Sequence, residues 1–378
     1  MSEALGTTGE HAGAPLWAED APRLELPALR EEISADACVI GLGGSGLSCV
    51  RELRRLGMSV VGLDAGSVGG GAAGRNGGFL LAGIAAFHHD ARTAHGGERA
   101  TRAWRLTLAE LERIAAETPD AVRRTGSLRI AIDDEELADC EAQRLAMHVD
   151  GLPVERYDGP EGRGLLFPRD ASFQPLLRCR SLARAAMSAG ARLFERSKAT
   201  RLDAGEVSTP NGRVRAGAIV VAVDGGLERV LPELADRVRT VQLQMIGTAP
   251  ADDVSYPRPV YSRYGMDYWQ QLPDGRIALG GFRDVGGEEE WRHDARPTAP
   301  VQEALERCLR ERVGTRAPIT HRWAAAVSYS KDGMPVVEEV RPGVWATGAY
   351  SGTGNVVGAL CGRAVAQLVT RGTSDLLL

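Results

Sequence analysis

The residues with the clearest chemical potential lie between positions 35 and 79. A G-x-G-x-x-G motif, Gly41-Leu42-Gly43-Gly44-Ser45-Gly46, follows a short apolar run at residues 37–40. In such a motif the first glycine allows a tight turn, the second lets backbone approach a pyrophosphate, and the third lets helix pack on strand. Asp64 ends the next apolar run, where a carboxylate can accept hydrogen bonds from a ribose hydroxyl pair. The spacing therefore predicts a dinucleotide site.

A second glycine-rich stretch, residues 69–78, follows almost directly. Asp64 disfavours a 2′-phosphate, which favours NAD or FAD over NADP. An NAD dehydrogenase has no evident use for glycines here. In a flavoprotein the chain must pass close to the rest of the cofactor, and bare backbone permits that approach. The residues thus favour a flavin, while an NAD dehydrogenase, colourless as purified, stays open.

The elements around these residues predict a nucleotide unit built from separated segments. A strand, helix and strand occupy residues 37–63, in the order of a βαβ unit. Two later apolar runs, residues 218–223 and 345–350, each end on a glycine turn like the first strand. Between residues 239 and 284, β-rich segments separated by turns predict an antiparallel meander, which suits a substrate domain.

Composition excludes several classes of protein. The chain has 378 residues, 25% of them charged, and a net charge of −5, which gives no reason to expect nucleic acid or an anionic membrane as partner. No run approaches the roughly 18 apolar residues of a membrane span. The 6 cysteines show no metal or C-x-x-C spacing. We expect a cytoplasmic protein without metal or disulfides, whose first residues, through about 32, form a loose tail and no secretory signal.

Taken together, the motifs resemble the D-amino-acid-oxidase-like (DAO) superfamily of FAD-dependent oxidoreductases. The similarity rests on the first glycine motif with Asp64, on Gly74-Arg75-Asn76-Gly77-Gly78, on Gly280-Gly281, on residues 332–336, and on Tyr350-Ser351-Gly352-Thr353-Gly354. Gly-Arg-Asn-Gly-Gly and Asp267-Tyr268-Trp269 are most similar to the gamma-glutamylputrescine oxidase and amine oxidase branch.

The resemblance implies an α/β (α+β) fold: a Rossmann-like FAD-binding domain assembled from discontinuous segments, plus a substrate domain with a large antiparallel β-sheet. We assign residues 35–85, 165–238 and 331–378 to the FAD-binding domain. Residues 86–164 and 239–330 are assigned to the substrate-binding domain, and residues 1–34 to the tail.

The same resemblance implies contacts to FAD. It assigns Gly41, Gly43 and Gly46 to the pyrophosphate, Asp64 to the adenosine ribose, Lys198 and Ala199 to the adenine, Arg75, Asn76, Gly77 and Gly78 to the isoalloxazine, and Gly352, Thr353 and Gly354 to the pyrimidine end of the flavin. The neighbours Gly44, Ser45, Ala65, Gly74, Ser351 and Asn355 complete the predicted cofactor site.

Departures from the family pattern indicate the kind of substrate. Val327 stands about where amino-acid oxidases of the family carry a carboxylate-clamping arginine. No cysteine is present nearby to attach FAD. Asn355-Val356-Val357 and Ala278 stand where sarcosine-oxidase relatives use lysines. We therefore expect noncovalent FAD and a substrate without a clamped α-carboxylate, while the electron acceptor, oxygen or another, stays open.

The predicted reaction is hydride transfer from the carbon next to a neutral amine to flavin N5, followed by hydrolysis of the imine to an aldehyde or ketone. Aromatic residues could form the pocket and stabilise a cationic imine. Tyr268 and Trp269 are adjacent in a strand, so only one can face it. Arg283 either meets a polar substrate tail or pairs with Asp284 or Glu288. The residues predicted to contact substrate are Tyr264, Tyr268, Arg283, Trp323 and Tyr350.

Two further hypotheses stay open. An amino-acid oxidase would hold its carboxylate elsewhere, through Arg283 or Arg322. A flavin-binding protein without catalysis would be yellow, but no amine would reduce it. The particular amine and the oligomeric state are not determined by the sequence.

Overall fold

The computed structural model describes residues 12–378. The strands, in chain order, are β1 (Glu32–Ile40), β2 (Val60–Leu63), β3 (Phe79–Leu80), β4 (Val122–Arg123), β5 (Ser127–Ile130), β6 (Glu155–Gly159), β7 (Gly162–Phe167), β8 (Ala171–Phe173), β9 (Arg192–Phe194), β10 (Arg201–Asp203), β11 (Glu206–Ser208), β12 (Arg213–Val221), β13 (Val238–Thr248), β14 (Val260–Ser262), β15 (Asp267–Gln271), β16 (Ile277–Gly281), β17 (Ile319–Ser330), β18 (Val336–Arg341) and β19 (Val344–Gly348). The helices are α1 (Gly44–Arg55), α2 (His88–His95), α3 (Gly97–Glu117), α4 (Asp134–Val149), α5 (Pro175–Ser188), α6 (Leu227–Val230), α7 (Arg283–Gly286), α8 (Ala299–Cys308) and α9 (Val357–Arg371).

The first sheet draws its strands from widely separated parts of the chain. Its central strand, β1, pairs in parallel with β2 and β12; β9 extends it beyond β2, and β19 lies beside β12, both in parallel. The last four residues of β1 and all of β2 are buried, as parallel strands covered on both faces must be. Helices α1, α5 and α9 cover one face through Val50, Leu182 and Val365. The predicted α/β fold with a discontinuous nucleotide unit is confirmed.

The second sheet is the large sheet of the predicted substrate domain. Its order is β17-β13-β16-β15-β14-β5-β7-β6, and every neighbouring pair is antiparallel except β14 and β5. One face packs on α8, where Trp269 and Leu279 meet Val301 and Leu305. Tyr268 therefore lies on the opposite face, and the prediction that Tyr268 and Trp269 point opposite ways is confirmed. The division of the chain into domains remains a proposal.

The segment before β1 differs from the expected loose tail. Leu16 and Trp17 are fully buried in a cluster with Met245 and Trp323, and the Trp17 Nε1–H donates to the Asn76 carbonyl at 2.8 Å. Burying a tryptophan with its N–H satisfied stabilises this segment despite its many polar neighbours. The prediction was wrong for residues 12–34, whereas residues 1–11 lie outside the described part of the chain. No helix in residues 12–378 is long and apolar enough to cross a membrane.

Candidate cofactor and substrate cleft

A cleft of about 680 Å³ lies between the two sheets. One wall consists of the carboxyl ends of β1, β2 and β12 and the residues after β19, where ligands of open α/β sheets bind. The other wall is the face of the second sheet that carries Tyr268 and Met245. The topology thus brings the predicted nucleotide motif and the predicted substrate pocket to one cavity.

Glycines shape the nucleotide end of this cleft. Gly41 has φ +100°, a conformation that side chains rarely adopt, and it turns the chain from β1 into α1. A Cβ added at Gly46 would lie 1.9 Å from the Gly41 carbonyl oxygen, so only glycine lets α1 pack against this turn. Gly43, Gly44 and Ser45 line the cleft at the beginning of α1, where free backbone N–H groups favour an anion such as a pyrophosphate.

Asp64 occupies the position expected of a ribose-binding acid. It follows β2, and its two carboxylate oxygens accept hydrogen bonds from the backbone N–H groups of Leu42 and Gly66, both at 2.8 Å. Burial raises its pKa to about 6. Ala65, Lys198 and Ala199 line the cleft with it.

The raised pKa of Asp64 predicts that FAD binding depends on pH. In the FAD-free protein, burial favours the protonated form of Asp64. This form contributes to the stability of the fold below about pH 4, and the contribution is lost as the pH rises through about 6. We predict that the ribose hydroxyls of FAD donate to the ionised form of Asp64. The affinity for FAD should therefore fall as the pH drops below about 6, by up to about tenfold per pH unit.

Fluorescence titration of the apoprotein with FAD between about pH 5 and pH 8 measures this dependence. The variant Asp64→Asn should bind FAD weakly at every pH, and a fall of affinity that persists in this variant would contradict the assignment.

Asn76 connects the two glycine turns in the middle of the cleft. Its Oδ1 accepts hydrogen bonds from the Gly78 N–H at 2.9 Å and from Asn355 Nδ2 at 3.1 Å. Gly77 lies against Tyr268: an added Cβ would be 2.9 Å from the Tyr268 ring. Asn76, Gly77, Asn355 and residues 351–354 all line the cleft. The structure thus brings together the segments predicted to surround the flavin.

The side chain of Arg75 points away from the cleft, although its backbone contributes to the wall. The guanidinium donates to the carbonyl oxygens of Ala324 at 2.9 Å and Ala12 at 2.8 Å, and also to that of Gly13. The Arg75 carbonyl accepts a hydrogen bond from Trp323 Nε1 at 2.7 Å. Arg75 therefore joins the segment before β1 to β17 behind the cleft.

Trp323 is not a pocket residue. It lies on the same face of β17 as Ala325 and Val327, which line the cleft, but Leu16, Trp17 and the Arg75 segment cover it completely. Arg322 points to the other side, where it pairs with Glu306 at 3.0 Å. The prediction that Trp323 contacts substrate was wrong, and Arg322 has no access to a substrate carboxylate.

The predicted tyrosines have different surroundings. Tyr268 lines the cleft and packs edge-on against Phe79, with ring centroids 5.9 Å apart. Tyr350 also lines the cleft, but its hydroxyl donates to Ser45 Oγ at 2.6 Å, which joins the residues after β19 to α1. Tyr264 lies half-exposed at the rim and donates to Asp139 at 3.0 Å. Direct contact of these tyrosines with substrate stays a prediction.

Arg283 projects into the cleft without a carboxylate partner. Its guanidinium carbon lies 4.7 Å from the centroid of the Tyr329 ring. The two expected partners are engaged elsewhere, since Asp284 pairs with Arg263 and Glu288 with Arg239. Within residues 12–378, no carboxylate oxygen lies within 4.0 Å of the Arg283 guanidinium. The predicted ion pair of Arg283 is therefore wrong, and its contact with a polar substrate tail stays a prediction.

Sequence reasoning missed several residues of the cleft, namely Arg129, Gln143, Asp224 and Tyr329. Asp224 follows β12 at the position corresponding to the first glycine turn, which is a signal that could have been used. Arg129 stands between two apolar residues in β5 and Tyr329 between two serines in β17, but alternation alone does not say which face meets a cavity.

Three of the predicted cofactor residues, Gly46, Gly74 and Gly78, support the cleft from behind rather than lining it. A Cβ at Gly74 would lie 2.2 Å from the Gly69 carbonyl oxygen, and one at Gly78 would lie 2.5 Å from that of Phe173.

Within residues 12–378, no cluster of three metal-ligating side chains is present. The 6 cysteines are buried and free, and none of them lines the cleft. Noncovalent attachment of FAD stays a prediction.

The cleft fits an FAD molecule by the chemistry of its walls. A continuous line of bare backbone and small residues runs from Asp64 past Gly43 and Gly71 to Gly77, and Cβ atoms would narrow it at several points. An acid stands at one end for a ribose, helix α1 begins where a pyrophosphate would lie, and aromatic and apolar side chains surround the other end.

Comparison with known proteins agrees with this arrangement. The sequence profile of the FAD dependent oxidoreductase family (DAO) matches residues 36–368. The chain is 27% identical to gamma-glutamylputrescine oxidoreductase of Escherichia coli, with 92% of this chain and 86% of that protein covered. It is 26% identical to the probable oxidoreductase OrdL of Rhizobium meliloti, with 93% and 86% covered.

Two solved structures share the fold. Glycine oxidase from Geobacillus kaustophilus superposes with a TM-score of 0.74 at 19% identity, covering 91% of this chain and 96% of that one. L-Proline dehydrogenase from P. horikoshii gives a TM-score of 0.73 at 20% identity, with the same coverage. The glycine motifs, the acid after β2, the two-sheet cleft and the match over residues 36–368 lead to one conclusion: the chain belongs to the DAO family of FAD-dependent oxidoreductases.

Proposed function

We propose that this chain oxidises a primary or secondary amine at the carbon next to nitrogen, with FAD as the hydride acceptor, and that the imine product hydrolyses to an aldehyde or ketone. Oxygen or another acceptor would take the electrons from the cofactor. The observation that carries this proposal is the apolar and aromatic lobe beside Gly77, lined by Leu243, Met245, Tyr268, Val327 and Tyr329. A similarity to gamma-glutamylputrescine oxidoreductase supports an amine substrate.

The lobe favours a neutral amine. Apolar walls disfavour the ammonium form by desolvation, which lowers the pKa of a bound amine. Burial raises the pKa of both Tyr268 and Tyr329 above the ordinary value of a phenol, so both hydroxyls stay protonated near neutral pH. Within the described residues neither hydroxyl has a hydrogen-bond partner. They can therefore donate to or accept from the substrate and orient it, without acting as bases.

Asp224 is the titratable acid near this lobe. It lines the cleft, its carboxylate accepts weakly from the backbone N–H groups of Ser328 at 3.3 Å and Tyr350 at 3.4 Å, and burial raises its pKa to about 6. These contacts hold the turn after β12 against β17 and the residue after β19. We assign Asp224 a positioning role in this turn.

A second candidate substrate class is an amino acid. The unpaired guanidinium of Arg283 beside Tyr329 favours it, because a guanidinium binds a carboxylate through two parallel hydrogen bonds. In this alternative, Arg283 would bind the substrate carboxylate in place of the arginine that is replaced by Val327 in this chain. The solved structures that share this fold include a glycine oxidase and an L-proline dehydrogenase, both named after an amino acid.

Anaerobic addition of a panel of amines and amino acids to the FAD-loaded protein distinguishes the two, with flavin absorbance as the readout. We expect amines to bleach the flavin of the wild type and of Arg283→Gln alike. Bleaching by amino acids that Arg283→Gln reduces by roughly tenfold to a hundredfold would establish the second candidate. The matched control is Arg316→Gln, which changes an exposed arginine that lies shortly before β17 and does not line the cleft. A yellow protein that nothing in the panel bleaches would contradict both.

The cellular location is also a proposal. The 6 cysteines are buried as free thiols, which supports a reducing compartment such as the cytoplasm.

A further inference from the structure

The outer end of the cleft carries a second arginine, Arg129, on the same face as Tyr268. Across the second sheet, Arg129 in β5 pairs with Tyr261 in β14, Tyr261 pairs with Tyr268 in β15, and Tyr268 pairs with Gly280 in β16. These residues form one row across the strands and share one face. Since neighbouring strands are about 4.8 Å apart, Arg129 stands roughly 10 Å from Tyr268 along this row.

The surroundings of Arg129 are aromatic. Its guanidinium carbon lies 4.0 Å from the centroid of Phe87 and 4.8 Å from that of Tyr261. Nη1 donates to Gln143 Oε1 at 2.6 Å, whereas Nε is buried and has no partner in residues 12–378. Arg129, Gln143 and Tyr261 all line the cleft.

No protein carboxylate neutralises this cation. Within residues 12–378, no carboxylate oxygen lies within 4.0 Å of the Arg129 guanidinium. The buried acid Asp170 interacts electrostatically with Arg129 from a greater distance. Its two oxygens accept hydrogen bonds from Ser127 Oγ at 2.7 Å and from the Ala82 N–H at 3.0 Å. Arg129 is half-buried, so part of the hydration of its charge is lost, and the ring faces offset only some of that cost. A bound anion would balance this charge.

We propose that Arg129, supported by Gln143, binds a carboxylate at the far end of the substrate, roughly 10 Å from Tyr268. A planar carboxylate suits this place because the rings take up the faces of the guanidinium and leave its edge for paired hydrogen bonds. The distance is about the length of three extended residues. The substrate is then an elongated amine with its reacting nitrogen at the Tyr268 end and a carboxylate at the other. This inference rests on the proposed amine oxidation only for the identity of the reacting end.

Binding of hexanoate, which carries the carboxylate but no amine, tests the subsite without any turnover. Its dissociation constant is measured from the perturbation of flavin absorbance and from the thermal shift of the FAD-loaded protein. We expect saturable binding to the wild type, a loss of roughly tenfold to a hundredfold in Arg129→Met, and a smaller loss in Arg129→Lys, which keeps the charge without the fork. Arg163→Met, an exposed arginine in β7, removes the same charge and should change nothing.

Equal affinity of hexanoate for the wild type and Arg129→Met, or the absence of saturable binding to the wild type, would overturn the proposal. If Arg129→Met does not yield FAD-loaded protein, the affinity for hexanoate is compared between the wild type and the variants Arg129→Lys and Gln143→Met.

Turnover separates this inference from the proposed function. With 6-aminohexanoate against hexylamine, Arg129→Met should lower kcat/KM for the first by roughly tenfold to a hundredfold and leave the second unchanged. If hexanoate binds through Arg129 but neither amine reduces the flavin, the subsite stands and the amine reaction is wrong. If both amines react equally in wild type and variant, the reaction stands and the subsite is wrong.

Discussion

The variant Gly46→Ala is expected to lose most of its FAD. The new methyl carbon would lie 1.9 Å from the Gly41 carbonyl oxygen and 3.4 Å from the Ala222 side chain, so backbone must move. Helix α1 would be pushed away from the turn after β1, and Gly43, Gly44 and Ser45 would leave their positions with it. Overpacking of this kind costs about 1–3 kcal/mol, which corresponds to a loss of FAD affinity of roughly fivefold to a hundredfold.

The measurement is the flavin content of the purified protein together with the dissociation constant for FAD. Gly97→Ala is the control, since a Cβ at the beginning of α3 meets only the flexible end of Arg92, at 3.2 Å. Full flavin content in Gly46→Ala would show that α1 can shift without disturbing the cofactor, and the packing argument would fail.

The second large effect is expected for Arg75→Met, which should destabilise the protein by about 2–4 kcal/mol. Arg75 is buried, and desolvation lowers its pKa to about 10, so it still carries its charge at neutral pH. Its guanidinium is shared among the carbonyl oxygens of Ala12, Gly13 and Ala324. Removal of the guanidinium takes the donor from the carbonyl oxygens of Ala324 and Gly13, whereas the Ala12 oxygen still accepts from the Ala324 N–H at 2.8 Å. A buried acceptor without a donor is costly.

Thermal unfolding measures the loss of stability, which should lower Tm by roughly 2–5 °C. Limited proteolysis should cut the segment before β1 first, because Arg75 is one of its attachments to the fold. The control is Arg156→Met, an exposed arginine of β6, which should leave Tm within about 1 °C. An unchanged Tm in Arg75→Met would mean that the other contacts of the segment, among them the burial of Leu16 and Trp17, are enough to hold it.

The glycine motifs and Asp64 could be predicted from sequence because their function depends on local chain geometry. A turn that needs bare backbone, a helix that follows it and an acid after the next strand are all close along the chain. The structure confirms the strand, helix and strand at β1, α1 and β2. Gly77 belongs to this class also, because a side chain there would meet Tyr268.

The substrate end of the cleft could be predicted only in part. Strand alternation placed Tyr268 opposite Trp269, but it could not say that Leu16 and Trp17 cover Trp323. Those contacts join residues far apart in sequence, and no local pattern records them. The buried tryptophan at position 17 lies in a segment whose composition resembled a tail.

The sequence by itself determined that the chain binds a dinucleotide at a βαβ unit and that the family is that of FAD-dependent oxidoreductases, because bare backbone and a single acid are required at fixed local spacings. Only the tertiary structure decided which side chains face the cleft. Arg129 reaches it through the parallel pairing of β5 with β14, and Arg283 reaches it because other arginines occupy Asp284 and Glu288. Strand register and competition for partners are properties of the whole fold, so no local pattern contains them.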